Sequence, residues 1–170
     1  MNDRTAYDNY PCWILIVSNL VMIGTYLTGA FIIYQFGIYW MMLYILYIAA
    51  LQIRLMKKSC VSCYYYGKYC AFGTGKIAPL FFKKGNPSDF VNCSITWKDM
   101  IPDVLVTLVP VIGGVVLLIL NFNLPVLASL ILISFLGTAG NGFVRGNLAC
   151  KFCRQRELGC PAERFFNKNK

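Results

Sequence analysis

Residues 13–34 read WILIVSNLVMIGTYLTGAFIIY and hold no charged side chain. A helix of roughly 20 apolar residues crosses about 30 Å of hydrocarbon, so this stretch has the length and character of a membrane span. It lacks the marks of a cleaved leader. It is too long for a typical leader core, more acid than base precedes it, and no Ala-x-Ala site follows. Working outward, the same character returns at residues 38–53 (running on past Arg54 to Met56), 101–120 and 124–144. The competing reading is a set of buried helices in a soluble protein, but four such runs would leave too little polar surface to cover them. Composition agrees: 58% of the 170 residues are hydrophobic and 14% are charged, against about 25% charged in soluble domains.

The links between the runs sort by charge. Gln35-Phe36-Gly37 and Asn121-Phe122-Asn123 carry none. Between the second and third runs lie Lys57, Lys58, Lys68, Lys76, Lys83, Lys84 and Lys98 against Asp89 and Asp99. After the fourth lie Arg145, Lys151, Arg154, Arg156, Arg164, Lys168 and Lys170 against Glu157 and Glu163. Basic residues flanking a span stay cytoplasmic. The expectation is an all-α, multi-pass cell-membrane protein of four transmembrane helices, with N-terminus, central loop and C-terminus in the cytoplasm. The first segment alone is ambiguous, with Arg4 against Asp3 and Asp8; the even number of spans assigns it. The net charge of +9 follows from this orientation and suits anionic headgroups. No folded basic surface is visible, so membrane lipids and not nucleic acid are the expected partner.

Cys60, Cys63 and Cys70 spell C-x2-C-x6-C, and Cys150, Cys153 and Cys160 repeat it to the residue. Each phrase follows two apolar runs. A lone cysteine and a tryptophan precede each pair of runs: Cys12 with Trp13, and Cys93 with Trp97. After the phrases come Phe81-Phe82-Lys83-Lys84 and Phe165-Phe166-Asn167-Lys168, read as interfacial elements with rings in the acyl boundary. The chain therefore reads as a tandem duplication, residues 1–90 and 91–170. Each repeat is a hairpin of two transmembrane helices followed by a cysteine-rich cytoplasmic cap. Halves of equal orientation are the parallel kind of repeat, related by an axis along the membrane normal. The first half has extra residues, including Gly73-Thr74-Gly75-Lys76. The Walker spacing is absent there, and Ile77 stands where a phosphate loop needs Ser or Thr.

The eight cysteines divide into two sets of four: Cys12, Cys60, Cys63 and Cys70, then Cys93, Cys150, Cys153 and Cys160. The chain has no His, so a metal site must be built mainly from thiolates. On the cytoplasmic face, reducing conditions disfavour structural disulfides. Four thiolates suit an iron–sulfur cluster or a structural zinc, and spacing alone does not choose. Cys160-Pro161 resembles the Cys-Pro ending of bacterial ferredoxin phrases over one dipeptide, with different spacing. Zinc knuckles often carry Gly and Pro beside the C-x2-C pair, and neither lies within these pairs. Two clusters at a membrane face also have a use in electron transfer. The favoured expectation is two [4Fe-4S] clusters in an electron-transfer subunit, partnered by other subunits of a membrane complex or a soluble electron carrier. The alternatives are zinc in a structural or assembly protein, and a thiol-disulfide oxidoreductase of the kind that passes electrons between thiols and quinones. No nucleophile with its base and no paired carboxylates stand out, so no catalytic residue is assigned, nor any cofactor contact beyond the metal ligands.

Other features have plainer readings. Tyr64, Tyr65, Tyr66 and Tyr69 are expected as an aromatic belt at headgroup level, with an electron relay as the alternative. Gly137, Gly140, Gly142 and Gly146 invite close helix packing, the last two as G-x-x-x-G. Pro110 with Gly113-Gly114 should kink or loosen the third span. No acid, Lys or Arg sits near the middle of any span, which argues against an ion pathway. Asp103, in the first turn of the third span, suits the helix dipole.

Overall fold

No water reaches the backbone inside a bilayer, so an apolar run closes its own hydrogen bonds as a helix. The computed structural model, which describes residues 6–92 and 97–160, follows that rule. Its first six helices are α1 (Cys12–Tyr34), α2 (Ile38–Lys58), α3 (Thr74–Phe81), α4 (Pro87–Asn92), α5 (Trp97–Leu120) and α6 (Leu124–Phe135). Beyond α6 the chain keeps winding, with π-helical turns at Leu136–Gly140 and Val144–Ala149 on either side of α7 (Asn141–Phe143). A last turn, α8, covers Arg154–Glu157. Among the described residues there is no strand, only an isolated bridge from Tyr7 to Cys153.

Cys12–Tyr34, Ile38–Ser62, Lys98–Leu120 and Leu124–Phe152 are long and apolar enough to cross a membrane. Large apolar side chains stand outward along them, Leu46 at 64% and Ile119 at 79% exposure. Soluble monomers rarely expose such continuous apolar surface; hydrocarbon solvates it without cost. The second helix runs beyond the apolar residues to Lys58, because Lys57 and Lys58 at its C-terminus complement the helix dipole.

The chain forms two compact units. One comprises the residues up to Ser18, Ile53–Trp97 and the chain from Val144 onward; the other comprises Asn19–Gln52 and Lys98–Phe143. Each half of the sequence therefore supplies a hairpin to the second unit and a cysteine phrase to the first.

In the hairpin unit, Ile33, Tyr44 and Val106 are buried, with Tyr26, Ala30, Tyr47, Ile48 and Leu51 against them. The third span does not break at Pro110; α5 runs unbroken from Trp97 to Leu120. Proline has no N–H, so the Val106 carbonyl loses its intrahelical donor. The Tyr44 hydroxyl of α2 donates to that carbonyl at 2.8 Å, and Tyr47 donates to the Pro102 carbonyl at 2.9 Å. Gly29 of α1 leaves the room required: a Cβ there would overlap the Tyr44 hydroxyl. Gly137 likewise admits Thr107, whose Cγ2 would stand 2.7 Å from an added Cβ. Gly142 and Gly146 differ from the expected packing face: nothing among the described residues comes within 4 Å of a Cβ at either.

Candidate metal centre

The two cysteine phrases are built alike. After α2, a 3-10 turn over Cys60–Ser62 closes with the Cys63 N–H on the Cys60 carbonyl at 3.4 Å; over Cys150–Phe152, the Cys153 N–H meets the Cys150 carbonyl at 3.4 Å. Cys63 and Cys153 then leave in extended conformation, at φ −79, ψ 152 and φ −80, ψ 119. The N–H three residues on returns to each carbonyl, Tyr66 to Cys63 and Arg156 to Cys153, at 3.1 Å in both. Nearby backbone N–H groups favour the thiolate of each second cysteine, that of Tyr65 at Cys63 and those of Gln155 and Arg156 at Cys153. One local fold, set by the C-x2-C spacing, thus places backbone donors beside the second cysteine of each phrase.

The third cysteine of the first phrase is held by the start of α3. Gly75 N–H donates to Cys70 Sγ at 3.3 Å. The Thr74 hydroxyl stands 3.5 Å from Cys70 Sγ and accepts from the Cys60 thiol at 3.6 Å. The residues that read as an insertion without a task therefore bring Cys60 and Cys70 together.

A tyrosine seam joins the phrases. Tyr7 N–H donates to the Phe152 carbonyl at 3.1 Å, and Tyr10 N–H to the Tyr69 carbonyl at 2.9 Å. Tyr65 donates its hydroxyl to the Tyr7 carbonyl at 2.6 Å and accepts the Arg154 N–H at 3.0 Å. Tyr64 N–H donates to Gln155 Oε1 at 2.8 Å, and the Tyr10 hydroxyl donates to the Ala149 carbonyl. The rings of Tyr10 and Tyr65 lie 5.4 Å apart, those of Tyr7 and Phe152 5.1 Å. Tyr10 is 5% exposed and Tyr65 2%. Tyr65, expected in an aromatic belt, is instead the buried centre of this seam.

Burial pushes the Cys63 thiol up to about 12, with Cys153, Cys60 and Cys70 adding to it. Cys153 is pushed up by the same cause, with Cys150 and Cys160 adding. At the rim, the Tyr64 hydroxyl (2.6 Å) and then the Arg154 guanidinium (3.0 Å) hold the Asp8 carboxyl below its ordinary range.

Of the residues singled out in the sequence, Cys60, Cys63, Cys70, Cys153 and Cys160 are half-buried, and Cys12, the first residue of α1, and Cys150 are exposed; all seven belong to one unit. Cys93 lies outside the described residues, as do Pro161 and the second Phe-Phe element. Among the described residues, no three His, Cys, Asp or Glu side chains stand close enough together to hold one ion. Sequence reasoning missed Tyr7, Tyr10, Thr74 and Gln155; only the Gly-Thr-Gly after Cys70 gave any signal. Comparison with protein-family models, curated proteins and solved structures gave no match. The class defined by the chain itself is a helical, cysteine-rich protein with four helices long and apolar enough to cross a membrane.

Proposed function

We propose that this is a membrane-embedded thiolate-metal protein, an electron-transfer subunit of a membrane redox complex that carries two [4Fe-4S] clusters. The observation that carries the reading is the shared build of the phrases, the same backbone turns at Cys60–Cys63 and Cys150–Cys153, with the Gly75 N–H on Cys70 Sγ in the same unit. Such donors stabilise charge on ligating sulfur and tune its potential. The donor chemistry suits a thiolate site, with cysteines and no His, although no three of the described ones stand close enough together to hold one ion. The sets are Cys12, Cys60, Cys63 and Cys70, then Cys93, Cys150, Cys153 and Cys160. In this reading the chain is a duplicated pair of hairpins, and the charge asymmetry of its loops supports a cytoplasmic side for both termini, the central loop and the cysteine unit.

Burial of Cys63 speaks against thiol-disulfide exchange. A thiol held protonated at neutral pH is a weak nucleophile, whereas a metal removes the proton as it binds. A cluster would supply one-electron chemistry. The chain holds the sulfurs, excludes water with Tyr10 and Tyr65, and offers Lys68, Lys76 and Arg154 to an acidic reduced carrier. The electron taken from that carrier leaves to an oxidised partner subunit or membrane carrier.

Structural zinc is the second reading, favoured by the same C-x2-C turns. Metal analysis and a visible spectrum of anaerobically purified protein separate the two. Iron with acid-labile sulfide, and broad absorption bleached by dithionite, is the expected result. Stoichiometric zinc with no visible band selects the structural role. Neither metal, before or after reconstitution, would overturn both. Cys63→Ser should strip one site and leave the other filled.

A further inference from the structure

We infer that α3 and the lysines after it form a membrane-surface element that binds the anionic phospholipids of the leaflet in which α2 ends. The inference rests on the membrane-embedded part of the reading above and not on its metal.

Residues 57–84 hold six lysines and no acidic side chain. Lys57 and Lys58 close α2, a helix long and apolar enough to cross a membrane. Lys83 and Lys84 are the other pair, and the backbone returns them to the first. The Gly85 N–H donates to the Val61 carbonyl at 3.0 Å, so Lys84 directly precedes the donor of a bond whose acceptor lies three residues beyond Lys58. The approach is close enough that a Cβ on Gly85 would stand 2.5 Å from Ser62 Oγ. One residue earlier than the lysine pair, the Phe82 carbonyl accepts the Tyr66 hydroxyl at 2.7 Å. All four lysines are exposed.

The helix between these anchors has one fixed face and one open face. Gly75 and Ala78 are buried. A Cβ on Gly75 would overlap the Tyr65 carbonyl oxygen, so the helix lies directly on the cysteine loop. Pro79 has no N–H to offer the Gly75 carbonyl, which accepts the Gly67 N–H at 2.8 Å instead. Ile77, Leu80 and Phe81 stand at i, i+3 and i+4, on one side of the helix, and all three are exposed, Leu80 at 79% and Phe81 at 69%. In water that face is costly. In the interface its side chains enter the acyl boundary while neighbouring lysines stay among the headgroups. Clusters of four to eight basic residues directly beyond a span attract anionic lipid. An acidic protein surface is the other partner the lysines would suit. The apolar triad and the adjoining end of a membrane-length helix favour lipid.

The experiment uses the full chain in a neutral detergent, titrated with phosphatidylglycerol or with phosphatidylcholine, and reads amide exchange over residues 74–82. Phosphatidylglycerol should slow exchange in α3 and leave α4, which carries Asp89 and no lysine, unchanged. Added salt should weaken the effect. Lys83→Gln combined with Lys84→Gln should require about 30-fold more phosphatidylglycerol for the same protection, at a contribution of roughly fivefold for each lysine. Leu80→Gln combined with Phe81→Gln should weaken protection with the charge unaltered. Equal slowing by both lipids, or protection of the unaltered protein that salt does not touch, would overturn the inference. So would an unchanged titration in the lysine variant, which would turn the lysines over to a protein partner. Protection by glycerol 3-phosphate alone would make the site one for soluble anions and overturn the lipid surface. A chain that stays dispersed without detergent would overturn the membrane reading and this inference together, whereas a protein without metal would leave the inference standing.

Discussion

Cys63 carries a pH signature of the metal-free protein, which the proposed metal would remove. Its thiol is raised from an ordinary 9.0 to about 12 by burial, so the unfolded chain releases this proton first. Between those values the unfolded state is favoured increasingly as pH rises. The metal-free protein should lose about 1.4 kcal/mol for each pH unit above 9 from this one group, read as falling thermal stability in detergent. Cys63→Ser should lessen the dependence without abolishing it, because Cys153 is raised by the same burial, and binding a metal should remove the Cys63 share by removing its thiol proton. Ser18 is a second residue with a clear expectation. Its hydroxyl is buried with no hydrogen-bond partner among the described residues, and an unsatisfied polar atom costs about 1–3 kcal/mol. Ser18→Ala should leave the melting temperature unchanged or raise it; a fall would show that the hydroxyl has a partner when the protein is in a membrane.

The hairpin unit turns on one repair. Pro110 frees the Val106 carbonyl, and Tyr44 reaches across from α2 to satisfy it at 2.8 Å. Hydrogen bonds between membrane helices average about 0.6 kcal/mol and reach roughly 1.7, so Tyr44→Phe should cost about 1 kcal/mol. Gly29→Ala should cost more, because it drives a methyl into the same hydroxyl. Unfolding in detergent mixtures measures both, and a neutral Gly29→Ala would sink this account of the contact. The helices themselves were legible in the sequence, since residues 13–34 and their three counterparts show length and apolarity directly. The repair was not. Pro110 read alone signals a kink or a loosening, and the Tyr44 hydroxyl that meets the freed carbonyl arrives from another helix. Of the glycines read as inviting close packing, Gly137 and Gly140 have close neighbours, while no described residue comes within 4 Å of a Cβ at Gly142 or Gly146. In the cysteine unit, spacing disclosed the C-x2-C turns, while Thr74 went unseen because its task depends on where Cys60 arrives.

The whole chain separates into a hairpin unit and a cysteine unit, each drawing on both halves of the sequence. Charge asymmetry predicts where the loops lie. A cysteine introduced at Asn121 should react with an impermeant maleimide on intact cells, and one at Lys84 only after lysis; the reverse result would invert the orientation. The cysteine unit also has an order of manufacture written into it. Residues 7–10 bond to the first phrase through Tyr69 and to the second through Phe152, and Tyr10 reaches Ala149 across 139 positions of chain. Ribosomes add roughly 5–20 residues each second, so the wait is on the order of 10 s. Tyr10 therefore finds this partner only after the 139 positions up to Ala149 have been added. Closure of the cysteine unit is therefore a late step of biogenesis, after the hairpin residues have been translated.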